Sequence, residues 1–276
     1  MENVSDKVIL ITGSTDGLGK LVARHLASQH ATVLLHGHNH ERGEKTLDQI
    51  RAITKDKKLR YYNADFASLE EVRKLAQEIL SDNDRLDILI NNAGIGGGPK
   101  GKSKRELSKD GYELRFAVNY LAPFLLTYNL LPLLKGSVPS RIINVSSIGQ
   151  APIDFNDVMM EKNYDSFRAY RQSKLAQIMF TIELAEELNG TGVIVNSLHP
   201  ASLMNTKMVY EFFGSTMTTV EEGAEAVEYV ATSDETAGVT GQYFDQKNAS
   251  KANAQAYDAQ ARRKLMELSK KLVGLK

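Results

Sequence analysis

A tyrosine and a lysine stand four residues apart, as Tyr170 and Lys174. An apolar stripe at helical spacing follows them and predicts a helix that stops at Gly190, with both side chains on one face. A free tyrosine has a pKa near 10, which is too high for efficient base work at neutral pH. An ammonium about 4 Å away favours the phenolate by roughly 4 kcal/mol, which could lower that pKa by up to about 3 units. The pair could therefore transfer protons, although Tyr–Lys pairs are also common on helix surfaces.

Glycines cluster where the first predicted strand gives way to the first predicted helix. Such glycines let the backbone turn sharply and approach a diphosphate, and the helix N-terminus adds free N–H groups and a partial positive charge. The spacing is Gly-x-x-x-Gly-x-Gly, and alone it also fits an ordinary glycine-rich turn. The pattern favours a nucleotide-binding loop made of Gly13, Ser14, Thr15, Asp16, Gly17, Leu18 and Gly19.

The elements that must position these residues follow an alternating pattern. Short β-branched runs alternate with longer amphipathic stretches, which is typical of βαβ units and a parallel sheet. The predicted strands cover residues 8–11, 32–35, 59–62, 86–90, 141–145, 193–198 and 242–244. Capping boxes predict helix starts at Ser68 with Glu71 and at Thr219 with Glu222. Because no linker or composition break divides the chain, we expect one domain over residues 1–276, with a C-terminal helix over 252–273.

Polar residues also follow the third and fourth predicted strands. Asp65 follows the third, and residues 91–94 (Asn-Asn-Ala-Gly) follow the fourth. In an open parallel sheet, ligands bind outside the carboxyl ends of the strands. We therefore expect both groups to lie near a bound nucleotide.

Taken in order, the glycine loop, residues 91–94, Ser147 and the Tyr170–Lys174 pair resemble the motifs of the short-chain dehydrogenase/reductase family. The likeness runs from about residue 6 to 245, and residues 119–127 and 141–147 are especially similar to the retinol-dehydrogenase-like branch. The resemblance implies a single-domain α/β Rossmann fold. Its doubly wound parallel sheet would have seven strands, with helices on both faces.

The resemblance also implies roles for the residues that could do chemistry. Tyr170 would be the general acid that protonates a developing alkoxide, or the base in the reverse direction. Ser147 would hold and polarise the substrate oxygen. Ser146 is its rival, but the family's serine stands two residues before a glycine, which selects Ser147 ahead of Gly149. Asn119 resembles the asparagine that kinks its helix and orders a water behind the lysine.

Contacts with a nicotinamide dinucleotide are implied in the same way. Lys174 would hydrogen-bond to the nicotinamide ribose, Asn91 would lie near a ribose and Asp65 near the adenine. Thr206 is a weaker match, because Ala201 replaces the glycine of the motif and the spacing to the threonine is longer. The remaining residues expected to contact the cofactor are Phe66, Ala93, Gly94, Tyr170 and Pro200.

The end of the second strand decides which dinucleotide binds. NAD sites place an acidic residue there to accept hydrogen bonds from the ribose hydroxyls. This strand end has no carboxylate, and His38, Asn39 and Arg42 could face a 2′-phosphate. We therefore favour NADP(H) over NAD(H), although similar proteins often carry arginine at the position of His38. Replacing Gly37 by Asp is expected to move the preference toward NAD.

Three histidines alternate at the same strand end, at His36, His38 and His40. Alternate residues share one face of a strand, so the pattern also fits metal ligands. Histidines in a loop at the nucleotide edge are the better interpretation, and we expect no metal site.

Composition excludes several classes of protein. The 34 basic and 34 acidic residues give no net charge, which argues against nucleic acid as a partner, and the basic run 100–105 fits a solvated loop. The absence of cysteine excludes disulfides, thiolate zinc sites and cysteine nucleophiles. The N-terminal residues lack a signal-peptide pattern, and no apolar run approaches the roughly 20 residues of a membrane span. We expect a cytoplasmic protein without a membrane span.

The substrate is the least determined feature. Residues 200–218 are a predicted substrate loop whose methionines and aromatics could line a pocket for an apolar carbonyl or alcohol compound, pack on the core, or form a subunit contact. A homo-oligomer is left open, since family members often pair through the helix that carries the tyrosine. Residues 154–165 form an insertion that could border the substrate or be a surface excursion.

The favoured function is an NADP-preferring dehydrogenase/reductase. One alternative is an extended-type epimerase or dehydratase on nucleotide sugars, against which the glycine spacing and the short substrate region argue. A second is a nucleotide-sensing protein that kept the fold without catalysis. A third is a light-driven pigment reductase of the same family, against which the absence of cysteine argues.

Overall fold

The computed structural model describes residues 3–55, 58–98 and 104–275, apart from the side chains of Phe212 and Phe213. Most of the basic run 100–105, and these two aromatic side chains of the expected substrate loop, therefore lie outside the described residues.

One mostly parallel sheet contains the strands in the order β3-β2-β1-β4-β5-β6-β7-β8. The strands are β1 Val8–Ile11, β2 Thr32–Gly37, β3 Leu59–Asn63, β4 Ile88–Asn91, β5 Ser140–Val145, β6 Val193–His199, β7 Tyr243–Asp245 and β8 Asn248–Ser250. Strands β1 to β7 pair in parallel, so the predicted doubly wound Rossmann sheet of seven strands is confirmed. The short strand β8 was not predicted. It pairs antiparallel with β7 and has no apolar run that would mark it in the sequence.

Helices cover both faces of this sheet. They are α1 Gly17–Ser28, α2 His40–Thr54, α3 Leu69–Asp82, α4 Leu114–Phe116, α5 Ala122–Gly136, α6 Ser166–Glu187, α7 Lys207–Phe213, α8 Val220–Thr232 and α9 Ala259–Val273. Alternate residues of β1 belong to different cores: Leu10 packs with α3, α5 and α6, whereas Ile9 and Ile11 pack with α1, α2 and α8. Burial on both faces explains why the parallel strands are continuous apolar runs.

Of the two predicted capping boxes, one is complete. Thr219 and Glu222 exchange both hydrogen bonds at the start of α8. Ser68 does accept from the Glu71 N–H at the start of α3. The Glu71 carboxylate, however, accepts from the Asp65 N–H at 2.7 Å instead of closing the box. The predicted box at Ser68 is therefore only half formed, because the turn after β3 competes for the carboxylate.

A π-helical turn, Ala117–Leu121, joins α4 to α5. Among the described residues, the run Leu114–Gly136 is the one helix long and apolar enough to cross a membrane, and 78% of its apolar window is buried inside the protein. It packs against α3 and α6 as a core helix.

The structure describes the expected substrate loop, the 154–165 insertion and the C-terminal helix in more detail than the sequence did. The expected substrate loop contains α7, which Thr206 caps. Residues 154–165 form no regular element, but Val158 and Met160 in this insertion are buried. The predicted C-terminal helix begins as a 3₁₀ turn, Ala254–Tyr257, before α9.

Candidate active site

The glycine loop between β1 and α1 is fixed by hydrogen bonds to two neighbouring segments. The Gly13 N–H donates to His36 Nδ1 at 3.2 Å, and the Gly13 carbonyl accepts from Asn92 Nδ2 at 3.1 Å. Thr12 Oγ1 accepts from the N–H groups of Asn92 and Ala93, each at 3.0 Å. Gly13 has a φ of +65°, and a Cβ there would lie 2.7 Å from Ala93 Cα. Only glycine fits this position, and His36, Asn92 and Thr12 are loop contacts that the sequence did not predict.

The N-terminus of α1 is open to an anionic ligand. Asp16 caps it by accepting from the Gly17 N–H at 2.8 Å. The next N–H groups of the first turn have no partner within an α-helix. Gly19 is buried, and a side chain there would collide with Asn92 and with the Gly13 carbonyl, so glycine allows α1 to pack closely against the loop. Leu18 is buried. The loop therefore fits the diphosphate of a dinucleotide.

Ser14 and Thr15 of the glycine loop face strand β2 rather than the opening of the loop. Ser14 Oγ accepts from the His36 N–H at 2.9 Å, and Ser14 is fully buried. The methyl group of Thr15 lies 2.6 Å from where a Cβ on Gly37 would stand. A side chain on Gly37 would require the Thr15 side chain to shift, and the expectation that Gly37→Asp moves the preference toward NAD stays a prediction. His38, the next residue, is exposed and is the better position for that change.

The end of β2 and the start of α2 carry the residues predicted for a 2′-phosphate. His38, Asn39 and Arg42 are all exposed there. Asn39 caps α2 by accepting from the Arg42 N–H at 2.9 Å. The arrangement offers basic side chains and a helix N-terminus to an anion.

At the end of β3, Asp65 and Phe66 lie beside the same region. Asp65 Oδ1 accepts from the Ala67 N–H at 2.9 Å, and Asp65 Oδ2 lies 3.4 Å from Lys109 Nζ. Phe66 is buried and stacks on His36, with ring centroids 4.4 Å apart. Both residues border the expected adenine end of the site.

The predicted cofactor residue Asn91 turns its side chain inward. Its Nδ2 donates to Thr127 Oγ1 at 3.0 Å and to Asn144 Oδ1 at 2.9 Å. Asn91 is 1% exposed. The side chain therefore joins β4 to β5 and α5, and a ribose contact would have to come from the main chain of this residue.

The predicted proton-transfer residues meet at the carboxyl end of β5. The Tyr170 hydroxyl is hydrogen-bonded to the side chain of Ser147. Ser147 Oγ also accepts from the Gly149 N–H at 3.0 Å. Its rival Ser146 is buried and donates to the Lys174 carbonyl at 2.7 Å. The geometry therefore supports the choice of Ser147 over Ser146.

Lys174 lies in a buried polar environment next to this pair. Its Nζ donates to the Val145 carbonyl at 2.9 Å and to Gln177 Oε1 at 3.0 Å, and it stands 5.9 Å from the centre of the Tyr170 ring. Burial lowers the pKa of Lys174 to about 7. Burial also raises the pKa of Tyr170, and the hydrogen bond from Ser147 offsets this only in part. Desolvation therefore dominates both groups, and the lowering of the Tyr170 pKa by Lys174 stays a prediction.

Asn119 lies in the π-helical turn and holds the segment after β4. Its Oδ1 accepts from the Ile95 N–H at 2.8 Å, and its Nδ2 donates to the Ile95 carbonyl at 3.1 Å and to Ser173 Oγ at 3.0 Å. A Cβ on Gly94 would lie 3.2 Å from Asn119 Oδ1 and 3.6 Å from Lys174 Nζ. The asparagine thus positions Gly94 against the lysine. The water predicted behind the lysine stays a prediction.

A buried ion pair between Arg115 and Glu113, which the sequence did not indicate, holds residues 95–98, the Gly96 segment. Arg115 Nε donates to the Gly96 carbonyl at 3.1 Å, and Arg115 Nη1 donates to the Tyr164 hydroxyl at 2.9 Å. The Tyr164 hydroxyl donates to Glu113 Oε1 at 2.9 Å. Because Tyr164 belongs to the 154–165 insertion, the insertion is tied to the Gly96 segment.

The helix α7 closes the other side of the cleft. A Cβ on Gly96 would lie 3.1 Å from Met208 Cγ, so α7 rests on that segment. The methyl of Thr206 is 3.6 Å from the position of a Cβ on Gly17. Thr206 therefore reaches the nucleotide loop despite its longer spacing, and Pro200 is buried at the end of β6.

The histidine alternation does not converge on one point. His36 is buried, whereas His38 and His40 are exposed. Within residues 3–55, 58–98 and 104–275, no three His, Asp or Glu side chains are grouped so that they could hold a metal ion. The absence of a metal from the native protein stays a prediction.

A nucleotide loop at a helix N-terminus and a Ser–Tyr–Lys cluster share the carboxyl edge of one parallel sheet. This is the site architecture of a dinucleotide-dependent oxidoreductase on a Rossmann fold. The chain belongs to the short chain dehydrogenase family, whose model matches residues 7–217.

Relatives with assigned names cover nearly the whole chain. Retinol dehydrogenase 13 of Mus musculus is 36% identical over 289 residues, which span 99% of this chain and 85% of the relative. Retinol dehydrogenase 14 of Homo sapiens is 38% identical over 296 residues, which span 98% of this chain and 87% of the relative. The predicted similarity to the retinol-dehydrogenase-like branch is confirmed.

Solved structures share the fold. A Mycobacterium paratuberculosis protein without an assigned function aligns with a TM-score of 0.80 and 26% identity, over 98% of this chain and 94% of its own. A short chain dehydrogenase of Shigella flexneri, solved in complex with NADP, aligns with a TM-score of 0.72 and 26% identity, over 89% of this chain and 98% of its own. This chain is thus a short-chain dehydrogenase for which an NAD(P) cofactor is expected.

Proposed function

We propose that this chain is an NADP(H)-preferring dehydrogenase/reductase that acts on an apolar carbonyl or alcohol compound, with Tyr170 as the general acid and base. The observation that carries the proposal is the hydrogen bond between Tyr170 and Ser147 beside Lys174. The two hydroxyl groups and the amino group of Lys174 lie together at the carboxyl edge of the sheet, where the nucleotide loop also lies.

The side chains have separate roles in the proposed reaction. A bound nicotinamide dinucleotide supplies or accepts the hydride. The Ser147 hydroxyl, oriented by the Gly149 N–H, holds the substrate oxygen and stabilises negative charge that develops on it. Tyr170 gives its proton to that oxygen during reduction and takes it back during oxidation.

Lys174 and the loop residues hold the cofactor in this proposal. Lys174 Nζ stands against Gly94 and would hydrogen-bond to the nicotinamide ribose. The first turn of α1 would bind the diphosphate. Preference for NADP(H) is supported by the exposed His38 and Arg42 at the start of α2, and by the NADP and NADPH complexes among similar structures.

An apolar substrate is supported by the surroundings of the cleft. Ile148 follows the catalytic serine, and Met208, Tyr210 and Met217 lie in the 200–218 segment. All four are exposed. Apolar side chains left in water at the mouth of a site favour an apolar ligand. The named relatives are retinol dehydrogenases, which makes a retinoid-like compound the first to test. A cytoplasmic location is part of the same proposal.

The first experiment follows binding and turnover separately. Purified protein is titrated with NADPH and NADH, and nicotinamide absorbance is then followed with a panel of ketones and aldehydes that includes retinaldehyde. Tyr170→Phe should leave nucleotide binding nearly intact, because the aromatic ring and the glycine loop are kept. Its turnover should fall by roughly 100-fold or more. Wild-type turnover in this variant would remove Tyr170 from its role, and failure of the wild type to bind either nucleotide would overturn the proposal.

The cofactor preference is tested at His38. His38→Asp should shift the ratio of affinities toward NADH by at least about tenfold, since a carboxylate there repels a 2′-phosphate and accepts from the ribose hydroxyls. His38→Asn is the matched neutral control and should change the ratio far less. Equal ratios in both variants would show that the 2′-phosphate does not lie at this strand end.

A further inference from the structure

His36 is the one histidine of the alternating series that is buried, at 2% exposure. Its ring lies between the glycine loop and the end of β3. We propose that His36 is a positioning residue that presets the glycine loop for the diphosphate of the cofactor. The inference rests on the proposed function and goes beyond it, because it assigns a residue outside the nucleotide motif to that binding step.

The contacts on the loop side fix the backbone of Gly13 and Ser14. The Gly13 N–H donates to His36 Nδ1 at 3.2 Å, and the Ser14 N–H donates to the His36 carbonyl at 2.9 Å. The His36 N–H donates in turn to Ser14 Oγ at 2.9 Å. Of these three hydrogen bonds only the first needs an imidazole, since the other two use the main chain of His36. The side chain therefore adds one specific hydrogen bond to Gly13, whose left-handed backbone conformation turns the loop.

The contacts on the other side fix the ring itself. His36 Nε2 lies 3.1 Å from the Ala64 carbonyl, and Phe66 stacks on the ring. An acceptor at Nδ1 and a donor at Nε2 require the neutral imidazole with its proton on Nε2. The titratable groups near it are His38, which follows its own strand, and Asp65 after β3. Burial outweighs them and lowers the pKa of His36 to about 4, so the neutral form is the one present at pH 7.

The consequence for binding follows from preorganisation. With its N–H bound by His36 and its carbonyl bound by Asn92, Gly13 has less conformational freedom to lose when a ligand binds. A loop that is already ordered binds with a smaller entropic cost. Loss of the imidazole acceptor should therefore weaken nucleotide binding without touching the residues that transfer protons.

Two variants of similar size separate the acceptor from the ring. His36→Asn places an oxygen near the position of Nδ1, whereas His36→Leu has no acceptor. Both lose the hydrogen bond to Ala64 and the aromatic stacking, so they differ mainly in the bond to Gly13. The expected result is an NADPH Kd raised by about tenfold or more in His36→Leu and by no more than about threefold in His36→Asn.

The controls separate an effect of each substitution on protein stability from its effect on nucleotide binding. Urea unfolding of both variants is measured, and Kd is determined by NADPH fluorescence under conditions where each is fully folded. An unchanged Kd in His36→Leu, or an equal loss in the two variants, would overturn the inference while leaving the proposed function intact. A wild-type protein that binds no nucleotide would overturn both.

A measurement on the wild-type protein covers the case in which a variant does not fold. The ¹⁵N chemical shifts of the His36 imidazole report which ring nitrogen carries the proton, and amide exchange reports the protection of Gly13. A neutral ring with its proton on Nε2 and a protected Gly13 N–H are expected. A proton on Nδ1 at pH 7 would exclude the proposed hydrogen bond and overturn the inference.

Discussion

At the scale of single residues, burial acts in opposite directions on the two groups central to the proposed chemistry. It raises the pKa of Tyr170 and lowers the pKa of Lys174 to about 7, because both neutral forms avoid the cost of a buried charge. Lys174 donates to a main-chain carbonyl and to the amide of Gln177, and no carboxylate is bonded to it among the described residues. A charged lysine is therefore costly until a ligand provides further acceptors.

This cost predicts a pH-dependent stability in the absence of nucleotide. The folded protein releases the Lys174 proton near pH 7, whereas an unfolded chain keeps it up to about 10.4. Between these values the unfolded state binds more protons, so the folded state gains stability as the pH rises. Relative to Lys174→Met, the free energy of unfolding of the wild type should increase by about 1.4 kcal/mol per pH unit in this window.

Urea unfolding of both proteins at pH 5, 6, 8 and 9.5 measures this effect. Below pH 7 both states of the wild type carry the proton, so the difference between the two proteins should be flat there. A difference that also stays flat from pH 7 to 9.5 would mean that Lys174 has an ordinary pKa in the folded protein.

At the scale of elements, the segment after β4 is held between a helix and an insertion. Asn119 binds Ile95, and Arg115 binds the carbonyl of Gly96, while Met208 of α7 covers that glycine. Tyr164 of the insertion completes the hydrogen bonding of the buried Arg115. The insertion at 154–165 is therefore joined through Tyr164 and Arg115 to the segment after β4, and its contact with a substrate stays a prediction.

Tyr164→Phe tests this connection. The change removes the hydroxyl that donates to Glu113 and accepts from Arg115, and it leaves a buried carboxylate with one partner fewer. A loss of about 1–3 kcal/mol in the free energy of unfolding is expected, together with faster hydrogen exchange in residues 95–98. Nucleotide affinity should stay within about twofold.

Tyr210→Phe is the matched control, because Tyr210 is 54% exposed on α7. It should change neither stability nor exchange. If hydrogen exchange in residues 95–98 is the same in Tyr164→Phe as in this control, Tyr164 does not restrain the Gly96 segment.

At the scale of the whole molecule, the C-terminal helix supports the helix that carries Tyr170. Helix α9 packs against α6, and Arg262 on α9 donates to Glu183 Oε2 at 2.9 Å and to Glu186 Oε1 at 2.7 Å. Arg262 itself is 6% exposed. Because α9 covers part of α6, subunits that paired through α6 would have to use the surface that remains. A homo-oligomer stays a prediction.

Arg262→Met should therefore destabilise the fold. It leaves the partly buried Glu183 carboxylate without its cation, and we expect a loss of about 2–4 kcal/mol in the free energy of unfolding. The neighbouring Arg263 is exposed, and Arg263→Met should cost less than about 0.5 kcal/mol. Urea unfolding compares the two variants, and equal stabilities would show that the ion pairs between α9 and α6 contribute nothing.

Much of the fold could be predicted because its signals are local. Apolar runs placed all seven parallel strands to within a few residues, and β8 was missed because its Asn-Ala-Ser segment has no such run. The capping box predicted at Ser68 is only half formed, because the Glu71 carboxylate accepts a hydrogen bond from the Asp65 N–H instead. Of the predicted site residues, Ser147, Tyr170, Lys174 and Asn119 are brought together, while the side chains of Ser14 and Asn91 turn away from the cleft.

The sequence by itself determined the class of protein, because strand periodicity and glycine spacing are local properties and the order of the motifs resembles that of one family. Only the tertiary structure decided the electrostatics and the supporting contacts. The pKa of Lys174 depends on how completely the fold removes water from it. The side chains of His36 and Arg115 form hydrogen bonds to residues that lie 19 to 49 positions away along the chain. No local pattern encodes contacts over such distances, because they exist only once the sheet and its helices have packed.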